Sequence, residues 1–381
     1  MTKSERNPKL ELLIQCRRRR EESFVGEELD QRLLTSSPTE VRASSFGLLS
    51  SFVIRHSSFC ISFVIWISSF LSSVAADSSA TVVTVVGAPG EAEYGSNFLH
   101  QAELWKSACS EANVRQVVIG LEKESATNDY ELLKQALAAE PKDGAEELWL
   151  VLIGHGTFDG KEARFNLRGP DFSATELAAW LKPFHRPLAV IDESSSSAPF
   201  INKLSGTNRV IITATRGGYE QNYARFGEYF AKAITAPEAD LDKDGQVSLL
   251  EAFLMASRQA TEFYKISGRL ATEHALLDDN GDGLGTPADW FRGLRAVKKP
   301  KENAPVDGLL AQQFVLIRNQ VENNFSPEQR VQRDAMERAV FLHREKKGQM
   351  PEEEYYRELE KLLLELARFY EGAGTNGPPG T

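Results

Sequence analysis

The sequence predicts an α/β fold: a mostly parallel sheet flanked by helices, followed by acidic loops and a C-terminal α-helical hairpin. Three observations predict it. From residue 80 onward, short and nearly continuous apolar runs alternate with helical patterns, as strands covered on both faces require. Residues 240–251 read Asp-Leu-Asp-Lys-Asp-Gly-Gln-Val-Ser-Leu-Leu-Glu, with side-chain oxygens at alternating positions. Beyond the charged linker Lys298-Lys299-Pro300-Lys301 the pattern becomes wholly helical.

Strands are expected at 81–86, 116–121, 148–153, 188–191 and 209–213, and helices at 98–111, 129–139, 174–181 and 223–234. Ligands of such sheets bind at the carboxyl ends of the strands. The boundaries divide the chain into a low-complexity N-terminal segment with a signal peptide (1–76), an α/β domain (77–235), a calcium-binding segment (236–297), a helical hairpin (298–372) and a disordered Gly/Pro tail (373–381). In the hairpin, Ser326-Pro327-Glu328 forms a helix start, and Gly348 with Pro351 marks the turn. Tyr355, Leu359, Leu362, Leu366 and Phe369 recur at alternating spacings of four and three, a heptad seam. An intramolecular hairpin is expected of that seam, with homodimerisation through the C-terminal helix as the alternative.

Apolar residues make up 41% of the 381, ordinary for a globular protein. The net charge of −10 argues against a nucleic-acid partner, since the basic run Arg17–Arg20 lies in a segment expected to be absent from the mature protein. Residues 44–72 repeat a Ser-Ser-Phe element that does not build a packed core. Within it Arg55-His56 precede an uncharged apolar stretch, 59–71, then Val74-Ala75-Ala76 and Asp77. That order of basic end, apolar middle and small residues is a secretory signal peptide. Cleavage after Ala76 gives an exported protein, periplasmic or extracellular, without a stable membrane span; an uncleaved segment anchors it instead. The hydrophilic residues 1–50 upstream suggest real initiation near Val53. Of the three cysteines, Cys16, Cys60 and Cys109, only Cys109 remains in the mature chain, so no intramolecular disulfide forms.

The loop at 240–251 is of the EF-hand type. Asp240, Asp242 and Asp244 occupy positions 1, 3 and 5, so alternate side chains of a curled backbone face one centre. Gly245 permits the sharp turn at position 6. Gln246 offers a backbone carbonyl, Ser248 a hydroxyl or bound water, and Glu251 both carboxylate oxygens. Three such carboxylates without a cation repel one another, and the cofactor expected is Ca2+. Pro237 just upstream stops the incoming helix, which favours a fixed clamp over a sensor. A second loop follows at 278–289, with Asp278, Asn280, Asp282, Leu284 (through its carbonyl), Thr286 and Asp289 at the ligand positions. Its Gly285 departs from the apolar position 8, Asp289 is a shorter arm than Glu, and the same cluster is ordinary turn chemistry.

Gly154-His155-Gly156 stands at the end of the third predicted strand, and Asp192-Glu193-Ser194-Ser195-Ser196-Ser197 at the end of the fourth. That layout resembles the caspase-like, legumain-like cysteine peptidases, in which His-Gly follows one apolar strand and Asp-x-Cys-x-Ser-Gly ends the next. Asn97-Phe98-Leu99-His100-Gln101-Ala102 is similar to the Asn-Tyr-x-His-Gln-Ala element of legumains, and Ala214-Thr215-Arg216 follows the fifth strand. The resemblance covers roughly residues 80–235. It implies a peptidase fold, but Ser194 stands where the nucleophilic cysteine belongs and Ser197 replaces the glycine. Cys109 falls in the helix after the first strand and does not substitute for it. The first reading is a catalytically degenerate binding or scaffold module, a pseudopeptidase whose partner is a protein or peptide. The alternative is a calcium-stabilised serine peptidase or acyl hydrolase in which His155 activates Ser194 and backbone N–H groups near Gly156 stabilise an oxyanion. Asp192 and Glu193 directly precede Ser194, a poor position from which to orient the histidine. Arg168, Asp171 and His274 are read as structural, and His185 and His343 carry no recognisable context.

Overall fold

A computed structural model describes residues 80–122, 127–302 and 304–374. The predicted signal peptide, the upstream segment and the tail from 375 onward lie outside the described residues. No helix of the described residues is long and apolar enough to cross a membrane.

The first half of the chain alternates strand and helix. β1 (Thr81–Val86) leads into α1 (Ala92–Ala112), which Asn113 ends in a left-handed conformation at φ 53°. β2 (Arg115–Ile119) leads into α2 (Asp129–Ala139), where the Asn128 side chain accepts the Glu131 N–H. β3 (Leu148–Ile153) is followed by a small antiparallel sheet of β4 (Gly156–Phe158), β5 (Ala163–Phe165) and β6 (Phe172–Ser173). α3 (Ala174–Leu181) starts from a Ser173/Glu176 capping box. β7 (Leu188–Asp192), α4 (Pro199–Leu204), β8 (Arg209–Thr213) and α5 (Phe226–Ala233) complete the layer.

α6 (Leu249–Ile266) then precedes a hairpin of β9 (Leu276–Asp278) and β10 (Thr286–Pro287) and a two-residue pair, β11 (Phe291–Arg292) with β12 (Arg295–Ala296). The main sheet runs β10-β9-β8-β7-β3-β1-β2. Its five strands from β2 to β8 are parallel, while β9 and β10 close the edge antiparallel. The five predicted strands are therefore present, and the antiparallel edge is an addition. It was hidden because the 278–289 stretch reads as a loop, whereas Asp278 and Thr286 are strand residues of a hairpin.

Strand alternation builds two cores. Val82, Val86, Trp149, Val151, Ile153, Ala189 and Ile191 face α1, α5 and α6; Val83, Val85, Leu148, Leu150, Leu152, Leu188 and Val190 face α2, α3 and α4. The first core also takes in Leu249, Phe253, Leu277 and Phe314, so the segments after residue 236 share the interior of the sheet domain. Trp149 and Phe314 pack edge to face with ring centroids 5.9 Å apart.

The C-terminal region holds α7 (Leu309–Gln313), α8 (Gln320–Asn323), α9 (Pro327–Arg344) and α10 (Glu352–Gly374). Ser326 caps α9 in a box with Gln329, and Pro327 sits in its first turn. Tyr355 and Leu366 of the heptad seam are buried, His343 of α9 stacks on Tyr355, and Phe325 packs with Leu366 and Tyr370. The seam thus finds partners inside the chain. Buried Glu322 of α8 pairs with Arg333 of α9 and accepts the Tyr370 hydroxyl of α10 at 2.9 Å, tying three helices together. Arg333→Ala leaves that carboxylate buried without its cation and is expected to cost about 3–5 kcal/mol in urea unfolding, much of it restored by adding Glu322→Gln. A loss below about 1 kcal/mol, the size of a surface pair, contradicts this role.

Candidate functional site

β3 and β7 are adjacent parallel strands, with Leu152 paired to Asp192, so the residues after them emerge side by side at the carboxyl edge of the sheet. His155 and Ser194 accordingly belong to one region, with Thr215 after β8 beside them. The backbone comes very close there: a Cβ on Gly156 would lie 2.2 Å from the Ser195 carbonyl oxygen, so only glycine fits beneath the serine loop.

The serine loop is an interior turn. Ser194, Ser195, Ser196 and Ser197 are all buried. The Ser194 hydroxyl donates to Asp192 Oδ1 at 2.5 Å, and the Ser194 N–H donates to the same oxygen at 3.0 Å. Ser195 bridges to Gly156 twice, accepting its N–H and donating to its carbonyl, each at 3.1 Å. Ser197 and Thr215 share a hydroxyl contact at 3.2 Å, and the Thr215 hydroxyl also accepts the Ala198 N–H at 3.0 Å. Each hydroxyl of this group except that of Ser196 therefore has a local partner.

His155 is held elsewhere. Its ring packs edge to face against Tyr94 and Phe98, with centroids 4.8 and 5.1 Å away, and lies 6.2 Å from Tyr223. Burial lowers its pKa, opposed in part by a hydrogen bond to the Pro89 backbone, so the neutral ring is favoured at neutral pH. Among the described residues no hydrogen bond joins His155 to Ser194. The Gly156 N–H, expected as an oxyanion donor, is already given to Ser195. Ser194, His155 and the Gly156 N–H, expected as nucleophile, base and oxyanion donor, thus lie at one end of the sheet and are each engaged by other groups.

Two carboxylates that the sequence presents as mere neighbours of Ser194 are the most perturbed groups here. Asp192 and Glu193 are both buried, with Asp192 Oδ2 and Glu193 Oε2 outside any hydrogen bond among the described residues. Glu193 Oε1 accepts the Trp105 indole N–H at 3.3 Å. Burial raises Asp192 to about 7 against the two Ser194 hydrogen bonds, and burial raises Glu193 well above the usual carboxylate range. Cys109 is buried in α1, and burial pushes its thiol up to about 12, so no thiolate is available.

The loop at 240–251 has the curl its spacing predicts. α5 ends at Ala233 and a short 3-10 turn, Pro237–Ala239, precedes it, so the incoming helix does stop early. Carboxylate oxygens of Asp240, Asp242 and Asp244 lie within 4.8 Å of one another, the donor set of a hard cation. The backbone curls around Asp240, which accepts the N–H groups of Asp244 at 3.2 Å and Gly245 at 3.1 Å. Gln246 Oε1 accepts the Asn319 N–H at 3.0 Å, which stitches the loop to α8. Ser248 and Glu251 have another job: they form the capping box of α6, an S-x-x-E signal legible in the sequence but assigned there to ligation. Glu251 Oε2 accepts both Ser248 donors, and Oε1 accepts the Leu241 N–H at 2.8 Å.

In the second stretch, Asp278 and Thr286 lie on facing strands, Asn280 and Asp282 turn the hairpin between them, and Leu284 and Asp289 are exposed. Asp289 sits beyond the hairpin in a 3-10 turn, so the geometry is not that of a helix-bearing loop. Thr286 donates to Asp307, 2.5 Å away, a residue that sequence spacing gave no reason to include. The remaining polar residues singled out in the sequence have local partners. Arg168 pairs with Asp129 at 2.8 Å, Asp171 accepts the Leu167 N–H at 2.9 Å, and His274 meets Glu220 at 2.5 Å. His185 contacts Asp143 at 2.9 Å on the surface, and buried His343 bonds the Tyr355 carbonyl at 2.9 Å.

The raised Asp192 has a consequence for stability. Between the ordinary carboxylate value of 3.8 and about 7 the folded state keeps a proton that the unfolded chain has released, so this contribution is full below that window and is lost as pH rises through it. In chelator, urea unfolding free energies of Asp192→Asn are expected to fall less steeply between about pH 4 and 7 than those of the native chain. Parallel profiles contradict a proton held at Asp192.

No family model and no curated protein matches the chain. Among solved structures it is similar to the Drosophila initiator caspase Dronc, at 12% identity and a TM-score of 0.37 over 54% of this chain and 81% of that one. It is also similar to a protein of Geobacter sulfurreducens, at 11% identity and a TM-score of 0.35 over 52% and 92% of the two chains. Caspase-1 from Spodoptera frugiperda shares 8% identity at a TM-score of 0.33, over 53% and 85%.

Proposed function

We propose that this chain is an exported calcium-binding protein whose caspase-like α/β domain serves as a non-catalytic binding or scaffold module. The observation that carries the non-catalytic half is the Ser194 hydroxyl, given to Asp192 at 2.5 Å inside a buried turn. A serine nucleophile needs a base oriented on its proton, and here a carboxylate occupies that direction while His155 is packed among aromatic rings. The caspase-like part rests on residue placement, with His155 after β3 and the Asp192–Ser197 stretch at the end of the adjacent β7. Export rests on the order of residues 55–77 in the sequence.

The calcium half is supported by Asp240, Asp242 and Asp244 converging at the head of α6. A divalent cation there offsets most of the charge of three carboxylates, and the loop is joined to α6 through Glu251 and to α8 through Asn319. Binding therefore adds stability to the segment covering the sheet, because only the folded chain presents the site. Ligation by both oxygens of Glu251 requires Oε1 to exchange the Leu241 and Asp242 N–H groups, and Oε2 the Ser248 donors, for the ion.

Asp242 is exposed, so its substitution disturbs the fold least. Saturating calcium is expected to raise the melting temperature of the native chain, by the equivalent of roughly 2.7 kcal/mol at a hundredfold excess over Kd. Asp242→Asn loses most of that rise and melts with the native chain in chelator. Equal calcium responses in the two proteins remove the site from 240–251.

A further inference from the structure

Asn319 stands between the loop at 240–251 and the helices that close the chain, and three of its polar groups are spent on that junction. Its side-chain amide N–H donates to the Asp244 carbonyl at 3.1 Å, and its backbone N–H donates to Gln246 Oε1 at 3.0 Å. Its side-chain oxygen accepts the Glu322 N–H at 3.0 Å and so caps α8. Asp244 and Gln246 are the fifth and seventh positions of the loop, where a carboxylate and a backbone carbonyl are the expected ligands. Gly245 between them takes a left-handed φ of 84°, and the peptide that leads into it is the one whose carbonyl Asn319 holds. The seam continues along both chains: Ser248 and Val315 form an antiparallel bridge, and the Leu249 N–H donates to the Phe314 carbonyl at 2.9 Å. On its other side Asn319 meets Glu322, the buried carboxylate that pairs with Arg333 of α9 and accepts the Tyr370 hydroxyl of α10. One residue therefore connects the curled loop to the ion pair that fastens the helical hairpin.

We propose that Asn319 positions the loop at 240–251 for its cation and makes calcium binding there and the docking of α8, with the hairpin behind it, linked equilibria. This rests on the calcium reading of that loop. With the Asp244 carbonyl and the Gln246 side chain held, the loop keeps its curl before an ion arrives. An ion that favours the curl favours in turn the Asn319 contacts that cap α8. The coupling is reciprocal, so docking raises calcium affinity by the factor by which calcium raises docking. Groups that orient ligands from outside the coordination sphere govern metal affinity by roughly tenfold or more.

Hydrogen exchange at early times, which reports local opening, together with isothermal titration of calcium, tests the link on the folded chain. In the native chain, calcium is expected to slow exchange of peptide 314–324 by roughly fivefold or more relative to chelator. Peptide 129–139, packed on the other face of the sheet, is expected to be unchanged. Asn319→Ser keeps a hydroxyl to cap α8 but has no donor long enough for the Asp244 carbonyl. It is expected to weaken calcium binding by roughly tenfold and to abolish the calcium-dependent slowing of 314–324. Gln246→Ala, which keeps its backbone carbonyl, is expected to act in the same direction and serves if Asn319→Ser does not fold. A side chain that only stabilised α8 would change exchange equally with and without calcium and leave the affinity as it was. Calcium binding by the native chain with no effect on 314–324, or native calcium affinity in either folded variant, overturns the link and leaves the calcium site standing. A native chain that takes up no calcium overturns both.

Discussion

A buried carboxylate at the end of a central parallel strand must find donors, and Asp192 finds them in the backbone and hydroxyl of Ser194, two residues on. The rest of the carboxyl edge follows from that choice. Because Ser194 turns inward to Asp192, the chain folds back as a tight serine turn, and Ser195 is delivered to Gly156 with no room for a side chain between them. Gly156 then has no free N–H to offer a ligand. Glu193 is carried to the opposite face, where Trp105 supplies its one side-chain hydrogen bond and Gly227 of α5 packs against it. This edge turns Ser194 to Asp192, Ser195 to Gly156 and Ser197 to Thr215 in the interior.

Two groups of aspartates lie where the second half of the fold meets the first. Asp240, Asp242 and Asp244 lie at the start of α6, a helix whose inner face shares the core of the sheet. Asp278, Asp282 and Asp307 lie where the sheet acquires its antiparallel edge. The helical hairpin is fastened by a buried ion pair instead, Glu322 with Arg333. Under the proposed function, a divalent cation is the counterpart of the first arrangement.

Much of this was legible from periodicity alone. β3 and α2 fall at their expected bounds because Leu148–Ile153 is a continuous apolar run and Asn128 is a strong cap. The start of α9 was legible from Ser326-Pro327. The edge strands β9 and β10 were not, because Asp and Asn at the hairpin outweigh two short apolar pairs when each residue is read by type. At the candidate site the order of motifs placed His155 and Ser194 on neighbouring strand ends, but spacing carries no information on where a hydroxyl points. Nor does it show that Asp307 returns to the β9–β10 hairpin from a distant part of the chain to meet Asp279, Asn280 and Thr286.

The most direct measurement is fluorophosphonate labelling of the folded, calcium-loaded mature chain, read by peptide mass spectrometry beside His155→Ala. A Ser194 hydroxyl committed to Asp192 predicts no label on the Asp192–Ser197 peptide in either protein. A label on Ser194 that disappears in His155→Ala contradicts it and identifies an activated serine.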